Sequence, residues 1–247
     1  MKPNERRTAF ILAAGLGTRL KELTSDRPKA LVELNKQPLL EVVVENLISQ
    51  GFNHFVINVH HFADMIIDYF KAKKYENVEI EISDEREFLY NTGGAIIKAL
   101  PYFKNSKAVL IHNVDIISDI DFRSIYDDFV GTDDAAWLLT QKRNNKRKIV
   151  FDENDNFAGR LNLETNEYDG ETPINDSFKL LSFSGLHIIK PEYFTHFELN
   201  ACYVFDLYKD ISKKATVKSK LTESKYWFDL GTQEQLKEAS LWISSQK

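Results

Sequence analysis

The sequence of 247 residues contains one cysteine, Cys202, so it cannot form an internal disulfide. A single thiol with no motif around it favours a reducing compartment and a structural role over a nucleophile. No apolar run approaches the roughly 18 residues that a membrane helix requires. The apolar stretch after Arg6 and Arg7 is interrupted at Gly15, before the core of a signal peptide is complete. These absences predict a cytoplasmic protein with no membrane partner.

The sequence also lacks an excess of positive charge. Its 32 lysines and arginines are outnumbered by 37 acidic residues, which gives a formal net charge of −5. We therefore expect no nucleic-acid partner, whereas a small anionic substrate needs only a local cluster of basic side chains. With 43% hydrophobic residues the chain can bury a full core, and its length suits one large domain or two closely joined lobes.

Two common phosphate-binding patterns are absent. A dinucleotide fingerprint needs a third glycine three positions after Gly17, where Leu20 stands, and an acidic residue about 20 residues further on. The stretch from Pro38 to Gly51 instead has apolar residues at helical spacing. A Walker loop is excluded because no Gly-Lys-Ser/Thr closes the turn. The sequence thus argues against a nicotinamide enzyme and a P-loop enzyme.

What the sequence does contain is a glycine turn with two basic residues behind it. The predicted strand Ala9 to Ala14 leads into Gly15 and Gly17, where the backbone can approach a phosphate. Arg19 can donate to two phosphate oxygens, and Lys29 supplies a mobile point charge. This combination indicates binding of a triphosphate.

Strand and helix patterns alternate through the first half, which predicts an α/β fold. We expect a Rossmann-like, mainly parallel sheet flanked by helices, with ligands at the carboxyl ends of the strands. From about Ala135 the pattern changes to hairpins, and the basic run Lys142–Lys148 is predicted to lie at the tip of one. Residues 1–134 are interpreted as the nucleotide-binding part of a single domain and residues 135–247 as its sugar-binding part. Thr232 is a candidate N-cap for a last helix.

The motifs resemble those of the sugar-phosphate nucleotidylyltransferases, whose signature is an apolar strand, GxGTRL and then PKxL. Here these residues are Gly15, Gly17, Thr18, Arg19, Leu20, Pro28, Lys29 and Leu31. Further matches in family order are Thr92–Ala95, Asn113 with Asp115, Phe183–Ile189 and Trp227–Thr232. Five ordered matches over nearly the whole chain make coincidence an unsatisfactory explanation.

The resemblance implies an enzyme that joins a nucleoside triphosphate to a sugar 1-phosphate and releases pyrophosphate. In that reaction the sugar phosphate attacks the α-phosphate in line, so no protein nucleophile is needed. Arg19 and Lys29 would be the catalytic residues. The implied nucleotide contacts are Leu12, Ala13, Ala14, Gly15, Gly17, Thr18, Thr92, Gly93, Gly94 and Asn113. The candidate sugar-phosphate contacts are Lys179, Ser184 and Gly185, together with Arg143 from the basic run, which is otherwise interpreted as solvated surface.

Asp115 and Asp229 are the candidate ligands of a Mg²⁺ cofactor. Mg²⁺ prefers one or two carboxylates together with phosphate oxygens and waters, and the family holds its metal at these two positions. The simpler alternatives are that Asp115 caps a turn, that Asp229 is an ordinary turn residue and that Lys29 is solvated. Adjacent His60 and His61 are not expected to bind a metal, because neighbours on a strand point to opposite faces.

Two departures from the family pattern stand out. Val114 replaces the glycine of the usual Asn-Gly-Asp, and the Glu-Lys-Pro segment that holds the sugar phosphate is missing, so Lys179 is its candidate substitute. Asp84, Glu85 and Glu87 are further candidates for contacts with base or ribose.

The short family members that this chain resembles include N-acetylmuramate 1-phosphate uridylyltransferases and mannose or heptose 1-phosphate guanylyltransferases. They imply NDP-sugar synthesis for cell-envelope polysaccharide by a monomer or homodimer. The alternative function is a catalytically silent relative that binds an NDP-sugar and regulates a partner.

Overall fold

The computed structural model describes residues 5–246 and divides the chain into two compact units. The first contains residues up to Leu89, His112–Arg123 and residues from Ser224 on. The second contains Tyr90–Ile111 and Ser124–Glu223. These bounds differ from a division near residue 134 because the chain enters the second unit earlier and returns to the first at its end. The assignment of nucleotide-binding and sugar-binding parts stays a prediction.

The first unit contains the parallel strands of the predicted fold. Its strands are β1 (Thr8–Leu12), β2 (Glu33–Leu34), β3 (Gln37–Pro38), β4 (His54–Val59), β5 (Glu79–Asp84), β7 (Ile116–Ser118) and β14 (Trp227–Asp229). Its helices are α1 (Leu39–Ser49), α2 (Ala63–Ala72) and α6 (Gln233–Ser245). Strands β1, β4 and β5 are adjacent and parallel, and all six residues of β4 are buried. Such complete burial is typical of a strand covered on both faces.

The register brings the carboxyl ends of these three strands together. Leu12 pairs with Asn58, and Asn58 pairs with Ser83. The strand β6 (Val109–Asn113) ends beside them, since the Val114 N–H donates to the Leu12 carbonyl. Val114 is buried, so its side chain packs in the interior of the unit. The predicted placement of the glycine turn and of Asn113–Asp115 after neighbouring strands is confirmed.

The second unit is the predicted hairpin-rich part. Its strands are β8 (Ala136–Gln141), β9 (Arg147–Phe151), β10 (Phe157–Asn162), β11 (Glu167–Gly170), β12 (Lys179–Ile189) and β13 (Val217–Leu221). Its helices are α3 (Asn91–Ala99), α4 (Phe122–Val130), which begins at the boundary of the first unit, and α5 (Val204–Ile211). The order is β11, β10, β9, β12, β8 and β13, and only the β8–β13 pair among these is parallel. The α/β class is confirmed.

The prediction that Lys142–Lys148 lies at the tip of a hairpin is wrong. Strands β8 and β9 do not pair with each other, because each pairs with a different part of the long strand β12. The register of β12 against β8 shifts between Phe183 and His187, around Gly185 with its φ of 83°. An irregularity of this kind bends a strand and lets its two halves pair separately.

The helix α6 begins as predicted at Thr232. The Thr232 side chain accepts from the Gln235 N–H, and the Gln235 side chain accepts in return from the Thr232 N–H. This reciprocal pair is a capping box, which satisfies two donors at a helix start. Within residues 5–246 we find no helix with the length and apolar character that a membrane crossing would need.

Candidate active site

The glycine turn after β1 presents unpaired backbone donors. Within residues 5–246, the N–H groups of Gly15, Leu16, Gly17 and Thr18 have no protein acceptor. Gly17 adopts a φ of 66°, which lies in the left-handed region. Successive N–H groups around a left-handed residue form a concave site that favours an anion. The turn therefore has the geometry expected of a phosphate contact.

The two glycines of this turn are expected to differ in their tolerance of alanine. A Cβ at Gly17 would lie 2.9 Å from Thr24 Cγ2 and 3.0 Å from Lys29 Cβ, in a backbone conformation that disfavours side chains. We expect Gly17→Ala to lower the free energy of unfolding by about 1–2 kcal/mol. Gly15→Ala is the matched control, because nothing lies within 4 Å of its Cβ position. Urea denaturation checks this, and equal losses in both variants would contradict it.

Lys29 is buried rather than solvated, and its ammonium group pairs with the Asp115 carboxylate. Lys29 is only 7% exposed and opens a short 3₁₀ turn, Lys29–Leu31, directly after the extended Pro28. A buried ammonium is tolerated only with a close charge partner, which Asp115 provides. The alternative that Lys29 is a solvated surface lysine is therefore excluded. The Asp115 carboxylate pairs with Lys29 and does not cap a turn.

The antiparallel pair β7–β14 brings the two candidate metal ligands together. Asp229 is the last residue of β14 and pairs with Ile116, and the Leu230 N–H donates to the Asp115 carbonyl at 2.8 Å. Burial raises the pKa of Asp229, and the charge of Asp115 raises it further. Lys29 and Arg19 lower it by smaller amounts. Four charged groups from distant parts of the sequence thus influence one another.

Asp229 carries a buried carboxylate oxygen without a protein partner. Its Oδ1 is shielded from solvent and accepts no hydrogen bond within the described chain. Such orphaned oxygens are rare and call for an explanation such as an ion. Two adjacent carboxylates, one with an unused oxygen, are a donor set that fits Mg²⁺. The residues present therefore fit the predicted cofactor, and its binding stays a prediction.

Arg19 is available for a ligand. Arg19 is an exposed residue, and in the described part of the chain no carboxylate pairs with its guanidinium group; the nearby Asp26 pairs with Arg27. The guanidinium packs against Gly231, where a Cβ would lie 2.6 Å from the nearer terminal nitrogen. The Gln233 side chain donates to the Leu20 carbonyl at 3.0 Å, which ties α6 to the residue after Arg19. Gly231 therefore leaves room for Arg19 beside Asp229.

The family model for nucleotidyl transferases matches residues 8–155, which include the glycine turn, Lys29 and Asp115. This chain belongs to the nucleotidyl transferase family. The family resemblance predicted from the motifs is confirmed.

Two curated relatives of this nucleotidyl transferase agree with the predicted class. The N-acetylmuramate alpha-1-phosphate uridylyltransferase of Caulobacter vibrioides is 40% identical over 195 residues, which cover 74% of this chain and 75% of the relative. The D-glycero-alpha-D-manno-heptose 1-phosphate guanylyltransferase of Campylobacter jejuni is 39% identical over 117 residues, which cover 47% of this chain and 51% of the relative. Both are sugar-1-phosphate nucleotidyltransferases, so the predicted enzyme class is confirmed at the level of the family.

A solved structure supports the fold. The crystal structure of HddC from Yersinia pseudotuberculosis, complexed with GMP-PN, superposes with a TM-score of 0.75 at 22% sequence identity. The match covers 96% of this nucleotidyl transferase and 99% of HddC. At that identity the likeness establishes the fold alone.

Several other predicted nucleotide-contacting residues in the first unit have backbone groups that already form hydrogen bonds within the protein. The N–H groups of Ala13 and Ala14 donate to Asn58, and the Leu12 carbonyl accepts from Val114. The Asn113 carbonyl accepts from the His112 ring at 2.8 Å, and burial lowers the pKa of His112 to about 4. His112 is therefore neutral at pH 7 and contributes no positive charge beside Asp115.

In the second unit, Thr92, Gly93 and Gly94 lie inside the first turn of α3. The N–H groups of Gly93 and Gly94 donate to the Cys202 carbonyl at 2.9 and 3.3 Å, and Thr92 Oγ1 accepts from the Val204 N–H. A Cβ at Gly94 would lie 2.1 Å from the Asn200 carbonyl oxygen. These glycines thus have a packing role within their own unit, and their nucleotide contacts stay predictions.

The four candidate sugar-phosphate residues also have local partners. Lys179 Nζ lies 2.8 Å from Asp155 Oδ1, and the Arg143 guanidinium donates to the Phe183 carbonyl at 2.6 Å. Buried Ser184 donates to the Leu139 carbonyl at 2.7 Å, and Gly185 marks the bend of β12. Their role in this nucleotidyl transferase stays a prediction.

One group of possible metal ligands was missed by the sequence reasoning. Ligand atoms of His54, Glu79 and Glu81 lie within 4.8 Å of one another in the first unit. Arg6 pairs with both glutamates at 3.3 and 3.6 Å, and burial lowers the pKa of His54. Because the Arg6 guanidinium already pairs with both carboxylates and His54 contacts Glu81, the cluster is explained as an ion-pair network. Neither His60 nor His61 belongs to it, and the His60 ring instead contacts the Glu85 carbonyl at 2.7 Å.

Proposed function

We propose that this protein is a Mg²⁺-dependent nucleotidylyltransferase that joins a nucleoside triphosphate to a sugar 1-phosphate. The observation that carries the proposal is the charge arrangement in the first unit. Arg19, buried Lys29 and the carboxylates of Asp115 and Asp229 come together, and the turn that precedes Arg19 has unpaired N–H donors. Positive charge and directed N–H groups bind phosphates, and paired carboxylates bind the divalent cation that accompanies them.

Each group has a defined part in the reaction. The turn N–H groups and the Arg19 guanidinium bind the triphosphate, and Lys29 neutralises charge that develops during transfer. Asp115 and Asp229 would hold Mg²⁺, whose positive charge would offset that of the phosphate oxygens. An oxygen of the sugar 1-phosphate attacks the α-phosphorus in line. A new phosphoric anhydride bond forms as the α–β bond breaks, and pyrophosphate leaves with the bonding electrons.

The environment of Cys202 supports direct transfer without a covalent enzyme intermediate. Burial raises the pKa of the Cys202 thiol, and the charge of Asp206 raises it further. The thiol is therefore protonated near neutral pH, and a protonated thiol is a poor nucleophile. Its backbone carbonyl is used to accept from Gly93 and Gly94. A structural role for Cys202 agrees with this arrangement.

N-acetylmuramate 1-phosphate with UTP is the proposed substrate pair. It is the substrate named for the Caulobacter relative, which matches about three quarters of both chains. A heptose 1-phosphate with GTP is the second candidate, favoured by the Campylobacter relative over about half of both chains. Mannose 1-phosphate with GTP is kept beside it, because a mannose-1-phosphate guanyltransferase is 27% identical over 90% of this chain. The product would serve cell-envelope polysaccharide synthesis in the cytoplasm, made by a monomer or homodimer. Retention of all four charged groups argues against a silent regulatory relative, which would not need them.

Pyrophosphate release tests this function. The purified protein with Mg²⁺ is assayed with UTP, GTP, CTP, ATP and dTTP against 1-phosphates of N-acetylmuramate, heptose, mannose, glucose and N-acetylglucosamine. We expect one pair of substrates to give most of the pyrophosphate, and we expect that pair to be UTP and N-acetylmuramate 1-phosphate. A lack of turnover across the grid together with tight binding of an NDP-sugar would contradict the enzyme and support the regulatory alternative.

A further inference from the structure

A buried asparagine connects the ends of three parallel strands in the first unit. Asn58, on β4, is 3% exposed. Its side-chain oxygen accepts from the N–H groups of Ala13 and Ala14 at 2.7 and 3.2 Å, just after β1. Its side-chain nitrogen donates to Glu85 Oε1 at 2.8 Å, just after β5. One side chain thus links the segments that follow β1 and β5.

The partners fix the orientation of the Asn58 amide. Backbone N–H groups can only donate, and the Glu85 carboxylate presents oxygens to the amide nitrogen. If the amide were rotated by 180°, its nitrogen would face two N–H donors and its oxygen would face a carboxylate. Both contacts would then be repulsive, so a single arrangement is allowed.

Glu85 is itself held in place by the backbone. It is fully buried, its N–H donates to the Val59 carbonyl at 2.8 Å, and its carbonyl accepts from the His60 ring at 2.7 Å. Burying a carboxylate is costly without strong partners. The rest of β4 from Phe55 to Val59 is apolar and buried, so an apolar residue would suit the core better at position 58. The polar pair is therefore expected to serve a purpose other than stability.

The hydrogen bonds of Asn58 also affect the orientation of the glycine turn. Because Asn58 takes the N–H groups of Ala13 and Ala14, the last peptides before Gly15 have one fixed orientation. The N–H groups from Gly15 to Thr18 stay without acceptors in residues 5–246. Donors that are oriented before a ligand arrives need no reorganisation when it binds.

We propose that Asn58, held by Glu85, is a positioning residue that orients the glycine turn for the triphosphate. The proposal rests on the function proposed above. Asn58 acts through the backbone of Ala13 and Ala14 and is itself too buried to contact a nucleotide. Its effect is on nucleotide affinity and not on affinity for the sugar 1-phosphate.

Substitutions of Asn58 and Glu85 in the protein of 247 residues test this role. Asn58→Asp keeps an acceptor for Ala13 and Ala14 but places a second carboxylate against Glu85. We expect it to weaken binding of Mg-UTP or Mg-GTP, measured by separate calorimetric titrations, by about tenfold or more. KM for the sugar 1-phosphate should stay within about twofold. Adding Glu85→Gln to Asn58→Asp restores a donor opposite the new carboxylate and should recover most of the affinity.

Asn53→Asp is the matched control. Asn53 precedes β4 and links it to the other end of β1 with the same chemistry, since its oxygen accepts from the Arg7 N–H at 3.0 Å and its nitrogen donates to the Glu5 carbonyl at 3.3 Å. It should cost stability without loss of nucleotide affinity. If circular dichroism shows that Asn58→Asp is unfolded, the smaller and uncharged Asn58→Ser replaces it.

The outcomes separate the positioning role from the proposed function. Wild-type protein that binds neither nucleotide would overturn both. Wild-type binding with unchanged affinity in the Asn58 variant would overturn the positioning role alone. Equal losses in the Asn53 and Asn58 variants, or no recovery in the double variant, would show a merely structural residue and overturn it too.

Discussion

Asp115→Asn is expected to lower kcat/KM for the nucleoside triphosphate by at least about a hundredfold, the usual cost of removing one directed electrostatic contact from an active site. The carboxylate pairs with buried Lys29 and lies beside Asp229. The substitution removes a proposed ligand of Mg²⁺ and also the charge that holds Lys29 in place. Steady-state pyrophosphate release with the best substrate pair measures the effect.

Asp68→Asn provides the control for the loss of one negative charge. Asp68 lies on α2 in the same unit, its side chain is exposed, and within residues 5–246 its one ion-pair partner is Lys71, three residues along the helix. Exposed pairs of this kind contribute little, so this variant should keep wild-type activity. If Asp115→Asn also turned over at close to the wild-type rate, Asp115 would have no part in the mechanism.

Much of the first unit follows from local sequence patterns. The apolar run before Gly15 and the run from Phe55 to Val59 are both buried strands, and the glycine turn follows the first of them. Such segments are predictable because a strand buried on both faces is nearly all apolar. Arg19 and Lys29 could be selected because they follow the turn directly in sequence.

The features that complete the site are non-local and were not predictable in the same way. Asp115 and Asp229 meet because two strands of three residues each, β7 and β14, pair although nearly half of the chain separates them. Strands this short carry no periodic signal. The role of Asn58 was also missed, although a signal existed: an asparagine in an otherwise apolar strand needs a buried partner.

The second unit shows where pattern reasoning is weakest. The helix α5 was not predicted, although Val204, Leu207, Tyr208 and Ile211 have helical spacing and are all buried. Eight residues give only two turns of periodicity, which is too short to stand out beside alternating strands. The bend at Gly185 was equally hidden, because Gly185 fits both a straight strand and an irregular one.

Asp229→Asn is expected to abolish most of the activity while it stabilises the metal-free protein at pH 7. The activity loss should again be at least about a hundredfold, since the substitution removes the second proposed ligand of Mg²⁺. The stability gain has a separate origin. Asp229 keeps a buried oxygen without a partner, and both burial and the charge of Asp115 disfavour its ionised form. A neutral amide avoids part of this cost, so the Tm should rise by about 2–4 °C.

The two aspartates should therefore have opposite effects on stability. Asp115→Asn leaves the buried ammonium of Lys29 without its partner and should lower the free energy of unfolding by about 1–3 kcal/mol. Asp229→Asn removes a charge that the fold disfavours. Thermal unfolding of both variants without metal measures the difference, and the addition of Mg²⁺ with the active nucleotide should stabilise the wild type but not Asp229→Asn. A lower Tm for Asp229→Asn than for the wild type would contradict the argument that the fold disfavours the ionised Asp229 carboxylate.

The pH dependence of the stability gain in Asp229→Asn distinguishes an electrostatic cause from a change in packing. The pKa of Asp229 is raised above its ordinary value of 3.8, so the folded protein binds this proton more tightly than the unfolded chain does. The cost of the ionised carboxylate is therefore fully present above the raised pKa and disappears as pH falls towards 3.8. The advantage of Asp229→Asn over the wild type should shrink in the same direction between pH 7 and about pH 4. An advantage that stays constant over that range would mean that charge is not its cause, and would remove the electrostatic argument that links Asp229 to Asp115 and to a cation.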